Sequence, residues 1–598
     1  MPKTTQRGKT RGQQVRFLIF GCILLLISLM VLARSFADLS NNAALDYGNT
    51  ATSLLHLASP QEQKENIESM EHLRRRLSPC VWSQAGSNSD KDIAKMVESL
   101  LEPQERKKAT ELCGKFLYSS VVKAVRVGDM GEQTFVATGD IDDMWTRDSA
   151  VQISLYVSRF QEEPFLRPIV EGAIRRQAFN IIQDPYANAY EREWIDPSSL
   201  PLRDQVIGRG GWVATRNYEL DSGAYFLSQI YDYYVADSLY KPEALLAEPL
   251  IFDAVMLMVN TWIVEQHHDD KSPYRYFELP NQGKGAPTAY TGMTWTGFRP
   301  SDDECQYGYL IPANIFAAGA LERTIALNQR VWHSDTLDQK ATKLLREIEE
   351  GIRQHGVIKT KDTGESIYAY EVDGMGNTLA DFDDANVPSL LSIPLLGWTG
   401  FDREIYKNTR NRLLSKKNPY YFSGKLLTGI GSPHTPSQMV WPMALAIEAL
   451  TTEGSKKEVA KSFVFQLRQS MASACDDAMH ESVNVDHCSF TRAWFEWANA
   501  LFVVLVESAL GIRCDSFGLQ QARDATAAKA SATQRTNFYN NKYNNNYTLS
   551  DFYQGIEAMV PHAQVPVASR RLRATKPWPR GAFELLKNAL LGSSGRAS

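Results

Sequence analysis

The sequence lacks several short patterns on which metal and nucleotide sites are commonly built. None of its seven cysteines belongs to a CxxC pair, so a zinc ribbon or a thioredoxin-type redox site is not expected. His480-Glu481 is not part of an HExxH zinc motif, because Asn484 stands where the second histidine is needed. A phosphate-binding glycine loop and internal repeats are also missing, and alternating strand patterns are scarce. These absences disfavour zinc-binding and nucleotide-binding proteins.

Acidic residues are missing from the first 34 positions, although the chain as a whole is acidic. These positions carry six Lys and Arg residues, whereas the net charge of the full chain is −5. The remainder therefore has a net charge of −11. Binding to a nucleic-acid backbone requires clustered Lys and Arg side chains, so we expect no nucleic-acid partner.

One uncharged apolar run, residues 17–33, follows this basic segment. Its length is at the lower limit for a helix that crosses a bilayer. A cleaved signal peptide is the alternative, but the run is long for one and Ala33-Arg34-Ser35 is a poor cleavage site. We therefore predict a retained transmembrane signal anchor. Because the preceding charge is all positive, residues 1–16 are predicted to be a cytosolic tail and the body to be luminal, in a type II orientation.

The rest of the chain divides into three parts by composition. Residues 34–66 are mostly polar and small, which is typical of a stem. Residues 67–514 form the globular part, and residues 515–598 are predicted to be a low-complexity, mostly disordered tail. Six cysteines follow the anchor and permit up to three disulfides of undetermined pairing, which suits a secretory compartment. The oligomeric state is left open.

Amphipathic or buried helices are the commonest pattern within the globular part. We predict them over residues 149–160, 222–237, 313–326, 441–451 and 494–510. The last contains an apolar stretch, but Glu496 and Glu507 flank it, so it is predicted to be a core helix. Helices separated by long loops rich in Gly, Pro, Asp and Trp favour a helical barrel whose site is built from loops at one end.

The loop of residues 138–149 contains a cluster of acidic and aromatic residues before a predicted helix. Its candidate sugar-binding side chains are Asp140, Asp142, Asp143, Trp145, Arg147 and Asp148. Carboxylates and arginine bind sugar hydroxyls in pairs, and an indole face covers the apolar face of a sugar ring. The alternative is an ordinary helix start, where aspartate is common because the dipole favours anions. We favour binding for Trp145, Arg147 and Asp148, and leave both alternatives open for Asp140 and Asp142.

The Asp140-x-Asp142 pair also resembles the DxD motif of metal-dependent glycosyltransferases, which share the type II topology. That motif is short and normally ends a strand of a nucleotide-binding α/β domain. A series of strands with a phosphate-binding loop does not accompany it here. A Golgi glycosyltransferase is therefore the less favoured alternative.

Further candidate carboxyl groups lie in two more loops. Asp302 and Asp303 follow Arg299 in an aromatic-rich loop, where desolvation would keep a carboxyl protonated as a general acid. The alternative is capping or an ion pair with Arg299. Glu481 precedes a segment rich in Trp and Arg, and considered alone it is more often structural.

Two more loops contain residues able to bind sugar hydroxyls. These residues are Asp383, Asp384, Asn386 and His434. Any one of them, considered alone, is more often structural.

Taken together, these segments resemble glycoside hydrolase family 125, the exo-acting α-1,6-mannosidases, and specifically its fungal membrane-anchored members. The resemblance rests on TGDIDDMWTRDSAVQ, DPYANAY, YELDSG, GMTWTGFRPSDDECQYGYLIPAN, DDANVPSLL, SPHTP with MVWPMALAIEAL, and HES. These segments run in the family's order over residues 110–511, about two-thirds of the chain. The anchor and the tail lie outside the region of resemblance.

The resemblance implies an (α/α)6 barrel, an inverting mechanism and no metal or other cofactor. The family's general acid corresponds to Asp302 or Asp303 here, and we prefer Asp302 by analogy with related helical-barrel glycosidases. The family's general base corresponds to Glu481. Arg147 and Asp148 match residues expected to hold the terminal mannose. This chain departs from the expected pattern at Thr146 and Glu304, and neither departure removes a catalytic group.

From these observations we predict an exo-acting, inverting, metal-independent α-mannosidase. Its substrate is expected to be terminal α-1,6-linked mannose of a glycan, either an N-glycan or mannan. We expect it on a secretory-pathway membrane, in the Golgi or a related compartment. Because a fold does not fix its substrate, a glucosidase or trehalase-like activity on the same barrel is the alternative.

Overall fold

The computed structural model of the protein describes residues 88–120, 125–127, 132–157, 159, 166–236 and 242–511. The predicted cytosolic tail, anchor, stem and C-terminal tail lie outside these residues. None of the helices in the described part of the chain is long and apolar enough to cross a bilayer.

Long helices dominate the described residues. They are Asn88–Leu100, Pro103–Ser119, Thr146–Val157, Leu166–Gln183, Leu220–Ala236, Pro249–Glu265, Ile311–Leu327, Asp335–Gly351, Arg403–Leu413, Pro442–Leu450, Lys456–Ser473 and Glu496–Ala509. Short α-helices lie at Leu202–Val206, Glu243–Leu246, His268–Lys271 and Pro280–Gly283, 3-10 helices at Pro197–Ser199 and Ile393–Leu395, and π-helical turns at Asn328–Trp332 and Ile352–Gly356. The five helices predicted from the sequence are confirmed, with their ends shifted by up to three residues.

The helices form two layers that alternate along the chain. The inner helices are Thr146–Val157, Leu220–Ala236, Ile311–Leu327, Pro442–Leu450 and Glu496–Ala509, and each is buried over most of its surface. Three pairs that follow each other along the chain pack side by side, and the last inner helix also packs against the first. This alternation agrees with the predicted (α/α)6 barrel, except that a short segment around Ile393–Leu395 stands at the fourth inner position.

The outer helices show how sequence pattern sets the layer. Asp335–Gly351 has one apolar stripe and one charged face, and only the stripe is buried. Its start is fixed by Ser334, whose hydroxyl accepts a hydrogen bond from the Leu337 backbone N–H. The helix Lys456–Ser473 begins with a capping box formed by Ser455 and Glu458. These capping interactions fix the residue at which each loop ends and each helix begins.

The fourth inner position depends on one glycine. Gly319 lies within the inner helix Ile311–Leu327, and a Cβ atom there would collide with the backbone of residues 396–398. Glycine therefore allows the short segment to approach the helix closely enough to occupy the place of an inner helix.

Short antiparallel strands connect the helices, which the all-α prediction did not include. They are Val125–Val127, Thr134–Val136, Met144–Trp145, Ala189–Ile195, Gly211–Thr215, Tyr309–Leu310, Val357–Lys359, Ser366–Tyr368, Glu371–Val372, Thr378–Leu379, Tyr421–Ser423, Thr428–Ile430, Met439–Val440, Ser482–Asn484 and Phe490–Thr491. Each sheet in the described residues has two or three strands. In one, Met144 pairs with Tyr190. In another, Val440 pairs with Val483, which pairs with Phe490. These sheets fix the loops that lead into inner helices.

Four of the cysteines lie among the described residues. Cys475 and Cys488 are bonded to each other, and Cys113 is also disulfide-bonded. Cys305 is buried and carries a free thiol. The sequence left the pairing open, and the structure assigns the pair Cys475–Cys488.

Replacing Cys475 and Cys488 together with serine is expected to lower the free energy of unfolding by about 3 kcal/mol. The reason is that the bond closes a loop whose ends are 13 residues apart, which restricts the unfolded chain. Denaturant unfolding under non-reducing conditions measures the change. Cys305→Ala is the control, because it removes a thiol that closes no loop. Equal losses in both variants would contradict the loop-closure explanation.

Candidate active site

The loop that carries Asp302 and Asp303 is held in place by its own backbone. The Arg299 N–H donates to the Asp303 carbonyl at 2.8 Å, and the Asp302 N–H donates to the Arg299 carbonyl at 2.9 Å. Asp302 has a φ of 67°, in the left-handed region that non-glycine residues rarely adopt. The two adjacent carboxyl groups contact different partners as a result.

Arg299 supports this loop from inside the protein. Its side chain is buried, its Nε donates to Glu371 Oε1 at 2.6 Å, and its guanidinium lies over the rings of Tyr370 and Phe382. The predicted alternative of an ion pair between Arg299 and the loop carboxyls is wrong, because Glu371 occupies that place. Its predicted contact with substrate stays a prediction.

The Asp302 carboxyl faces a buried guanidinium. Its Oδ2 lies 3.7 Å from Arg147 Nη2, and Arg147 is almost fully buried at the start of the first inner helix. Arg147 also donates to Glu219, and lies 3.6 Å from Asp148 and 3.8 Å from Asp221. We call these five residues the Arg147 cluster. It surrounds one cation with four carboxyl groups.

Burial dominates the electrostatics of the Arg147 cluster. It raises the pKa of Asp148 to about 6 and that of Asp221 to about 7, although Arg147 opposes both rises. Burial by itself would lower the pKa of Arg147, but Glu219 and the other carboxyl groups outweigh it and raise that pKa. Burial also raises the pKa of Glu219 well above its ordinary value. The carboxyl groups of the cluster are therefore not all ionised at neutral pH, while the guanidinium stays charged.

Asn188 fixes the other oxygen of Asp302. Its amide donates to Asp302 Oδ1 at 2.7 Å. The amide orientation is set by two donors to its own oxygen, the Thr215 hydroxyl at 2.6 Å and the Asn217 N–H at 3.2 Å. Asn188 is buried, so this arrangement is rigid.

The Asp303 carboxyl faces a second group. Its Oδ1 lies 2.9 Å from His434 Nδ1. This hydrogen bond raises the pKa of His434 to about 9 against the effect of burial, and the nearby charge of Glu481 adds to the rise. We call Asp303, His434 and Glu481 the His434 group. In this group His434 contacts Asp303 directly, and Glu481 is near enough for its charge to act on the imidazole.

Glu481 projects from a short rigid segment. The neighbouring residues His480 and Ser482 are fully buried, whereas Glu481 itself is half-buried. His480 Nδ1 lies 2.9 Å from the Arg492 carbonyl, and the Ser482 hydroxyl lies 2.7 Å from that of Thr491. The Cys475–Cys488 disulfide closes the same loop. Glu481 is therefore presented on a fixed backbone.

The predicted residues of the loop 138–149 contact two different sets of partners. Asp140 Oδ1 accepts from Arg492, whose charge also acts on Asp148, so Asp140 adjoins the Arg147 cluster. Asp143 instead pairs with Glu191. Burial raises the pKa of Glu191 to about 7. Asp142 is exposed and Trp145 is half-buried on the strand Met144–Trp145.

The residues predicted in the loop 373–391 are buried beside the loop that carries Asp302 and Asp303. Asp384 accepts from the Ser301 hydroxyl at 2.8 Å and from the Asn386 amide at 2.8 Å. Asp383 accepts from the backbone N–H groups of Leu390 and Leu391, which holds the fourth inner segment. Asp384 and Asn386 are thus joined to the residue that precedes Asp302.

Three residues of the site were missed as candidates from the sequence. Glu219 and Asp221 belong to YELDSG, and Asn188 belongs to DPYANAY. Both segments contributed to the family resemblance, which was the available signal. In isolation the first reads as a helix start and the second as a turn.

The site thus contains carboxyl groups on separate loops, one set beside a guanidinium and the other beside an imidazole, and acid–base glycoside hydrolases use such pairs of carboxyl groups. The sequence profile of the metal-independent α-mannosidases, glycoside hydrolase family 125, matches residues 106–507. This chain belongs to that family.

Two relatives illustrate the similarity. The chain is 35% identical over 440 residues to the meiotically up-regulated gene 157 protein of Schizosaccharomyces pombe, which covers 70% of this chain and 85% of that protein. A solved structure from Streptococcus pneumoniae, a metal-independent α-mannosidase in a non-productive complex with α-1,6-mannobiose, is 34% identical. Their TM-score is 0.63, and the match covers 72% of this chain and 100% of that one.

Among the described residues, no group of three or more His, Cys, Asp or Glu side chains is arranged to hold a metal ion.

Replacing Asp303 with asparagine is expected to lower the pKa of His434 from about 9 toward its ordinary value of 6.5, because the hydrogen bond and the charge of Asp303 are lost while burial still lowers the pKa. Since the folded-state pKa exceeds the ordinary value, this pair stabilises the fold fully below about pH 6.5. The stabilisation is lost as the pH rises through about 9. NMR titration of isotope-labelled histidine measures the pKa, with His434→Asn used to assign the signal. An unchanged titration in Asp303→Asn would contradict the assigned cause.

Proposed function

We propose that this protein is an exo-acting, inverting α-mannosidase that releases terminal α-1,6-linked mannose from glycans of the secretory pathway. Membership of a family of metal-independent α-mannosidases supports the sugar. The similarity to a structure complexed with α-1,6-mannobiose supports the linkage. The observation that carries the mechanism is the separation of the carboxyl groups between the Arg147 cluster and the His434 group.

In this mechanism Asp302 is the general acid and Glu481 is the general base. Asp302 gives its proton to the glycosidic oxygen as the bond from C1 to that oxygen breaks. Glu481 takes one proton from a water molecule, whose oxygen forms the new bond to C1 from the opposite face. The products are an alcohol and β-mannose, and the enzyme is left with an ionised Asp302 and a protonated Glu481. Such a reaction requires the two carboxyl groups to stand roughly 6.5–9.5 Å apart, which leaves room for the water.

The remaining residues bind the sugar in this proposal. Arg147 and Asp148 hold the terminal mannose together with Asp140, Trp145 and His434. Asp143 contacts Glu191 of the strand Ala189–Ile195, and we assign Asp142 and Asp143 to the part of the glycan beyond the terminal mannose. Asp384 supports the Asp302 loop through the Ser301 hydroxyl, and Arg299 supports it through Glu371. Contact of the sugar with Asp384, Asn386 and Arg299 stays a prediction.

The alternatives are less favoured. A glucosidase or trehalase-like specificity has no support from the family match. For a glycosyltransferase using Asp140 and Asp142, the Asp140 carboxylate would have to bind a metal, yet it is bonded to Arg492. Full activity in excess EDTA, without a nucleotide sugar, would exclude the transferase.

Asparagine at Asp302 and glutamine at Glu481 are each expected to lower kcat/KM on α-1,6-mannobiose by roughly 10²–10⁴-fold, because each removes a proton-transfer group. NMR of the released sugar should show the β-anomer first. Asp303→Asn is the matched control, since its carboxyl adjoins the acid in sequence but faces His434, and its loss is expected to be smaller. Release of the α-anomer, or full activity in Glu481→Gln, would contradict the mechanism.

We also propose that residues 17–33 anchor the enzyme in a secretory-pathway membrane of the Golgi or a related compartment, with the catalytic domain luminal. The uncharged run and the basic segment before it support this topology.

Deletion of residues 1–34 should release the enzyme from membranes without loss of its turnover. The full-length protein should resist carbonate extraction, and intact vesicles should protect its body from protease. Extraction of the full-length protein by carbonate would contradict the anchor. Digestion of the body in intact vesicles would contradict the orientation.

A further inference from the structure

Glu219 and Asp302 approach the same guanidinium from two elements. Glu219 immediately precedes the inner helix Leu220–Ala236, and its side chain is fully buried. Its Oε2 accepts from Arg147 and from the Ser222 hydroxyl at 3.1 Å. Asp302 reaches another nitrogen of Arg147 from the catalytic loop. The two carboxyl groups are therefore neighbours across one cation.

The other oxygen of Glu219 has no donor. Its Oε1 is buried without a hydrogen-bond partner among the described residues, while the side chain of Asp302 lies within hydrogen-bonding reach of Glu219. Two ionised carboxylates only accept, so they cannot bond to each other. One proton between them satisfies both and removes the repulsion of two adjacent negative charges.

We propose that Glu219 and Asp302 share one proton, and that Glu219 is thereby a positioning residue that keeps the general acid supplied with that proton. This inference rests on the proposed function, in which Asp302 protonates the glycosidic oxygen. Neither the family resemblance nor the sequence pattern assigned a role to Glu219.

The surroundings favour a shared proton. The titratable and charged groups that act on the pair are Arg147, Asp148, Asp221, Tyr276, Cys305 and His434. Burial raises the pKa of Glu219 well above its ordinary value, Arg147 opposes the rise, and Asp302 adds to it. Carboxyl groups outnumber the cations on this side of the site.

The chemical step balances without a further reactant. The shared proton passes from Asp302 to the glycosidic oxygen as its bond to C1 breaks, which leaves two carboxylates beside Arg147. The guanidinium offsets the added charge until solvent returns a proton to the pair. The proton of the attacking water stays on Glu481 and leaves to solvent separately.

Glu219→Gln tests the inference, because glutamine keeps the length of the side chain and can still accept from Arg147. Without the second carboxyl, the pair's proton should leave at lower pH. We expect the alkaline limb of the pH profile of kcat/KM on α-1,6-mannobiose to move down by about one unit or more, a tenfold loss on that limb. On an aryl mannoside with a strongly acidic phenol as leaving group, which needs little proton donation, the loss should be smaller.

Two further variants separate a proton-holding role from a structural one. Glu219→Asp keeps a carboxyl one methylene further away, so a smaller shift in the same direction is expected, and it carries the test if Glu219→Gln does not fold. Glu507→Gln is the matched control, because Glu507 is also a buried carboxylate bonded to an arginine, Arg159, but lies on the far half of its inner helix. It should leave the pH profile unchanged.

The outcomes distinguish this inference from the proposed function. An unshifted alkaline limb in both Glu219 variants, with loss of activity that is uniform across pH and equal on both substrates, would mean that Glu219 only holds Arg147, and it would overturn the inference. Wild-type enzyme that fails to hydrolyse α-1,6-mannobiose, or activity that survives in Asp302→Asn, would instead refute the proposed function.

Discussion

The active site depends on one buried cation, the guanidinium of Arg147, which lies among Asp148, Glu219, Asp221 and Asp302. Charges in the interior are tolerated only when they are paired, and removing one partner of a buried pair typically costs about 3–5 kcal/mol. The segments that contain Asp148, Glu219 with Asp221, and Asp302 must therefore come together around Arg147 when the protein folds. The same requirement places Asp302 beside a positive charge and beside an unusually acidic environment, which is what its proposed chemistry needs.

The barrel explains why residues so far apart in the sequence converge. Each site residue lies in the first turn of an inner element or in the loop that leads into it. Arg147 begins the first inner helix, Glu219 and Asp221 the second, Asp302 and Asp303 precede the third, His434 precedes Pro442–Leu450, and Glu481 precedes Glu496–Ala509. The chain alternates between inner and outer layers, so the N-terminal ends of the inner elements meet at one end of the barrel. The helix dipole favours negative groups at that end.

Features that depend on a local pattern could be predicted from the sequence, whereas the roles of residues that depend on a distant partner could not. The inner helices were predicted to within about three residues, because periodic apolar positions are local. The role of Arg299 was not readable, since its partner Glu371 lies 72 residues away. Glu219 was missed for the same reason, because its importance comes from Arg147, also 72 residues away. Most of the strands have only two or three residues, which carry almost no alternating pattern, so they escaped prediction. One of these strands begins directly after Glu481.

The charges around Asp302 and around Glu481 differ in a way that separates their proposed roles. The Arg147 cluster has four carboxyl groups and one cation, and burial makes full ionisation of the set unfavourable, so this side of the site retains protons. In the His434 group the hydrogen bond to Asp303 and the charge of Glu481 raise the pKa of His434 to about 9, so the imidazole is a cation at neutral pH. An inverting hydrolase requires one carboxyl that holds a proton and one that accepts it. Here the difference between the proton-holding and the proton-accepting carboxyl depends on which cation each one faces. It also depends on how many other carboxyl groups surround that cation. On this reasoning, moving one carboxyl between the two sides would change which residue is the acid, even though the backbone of the barrel stayed the same.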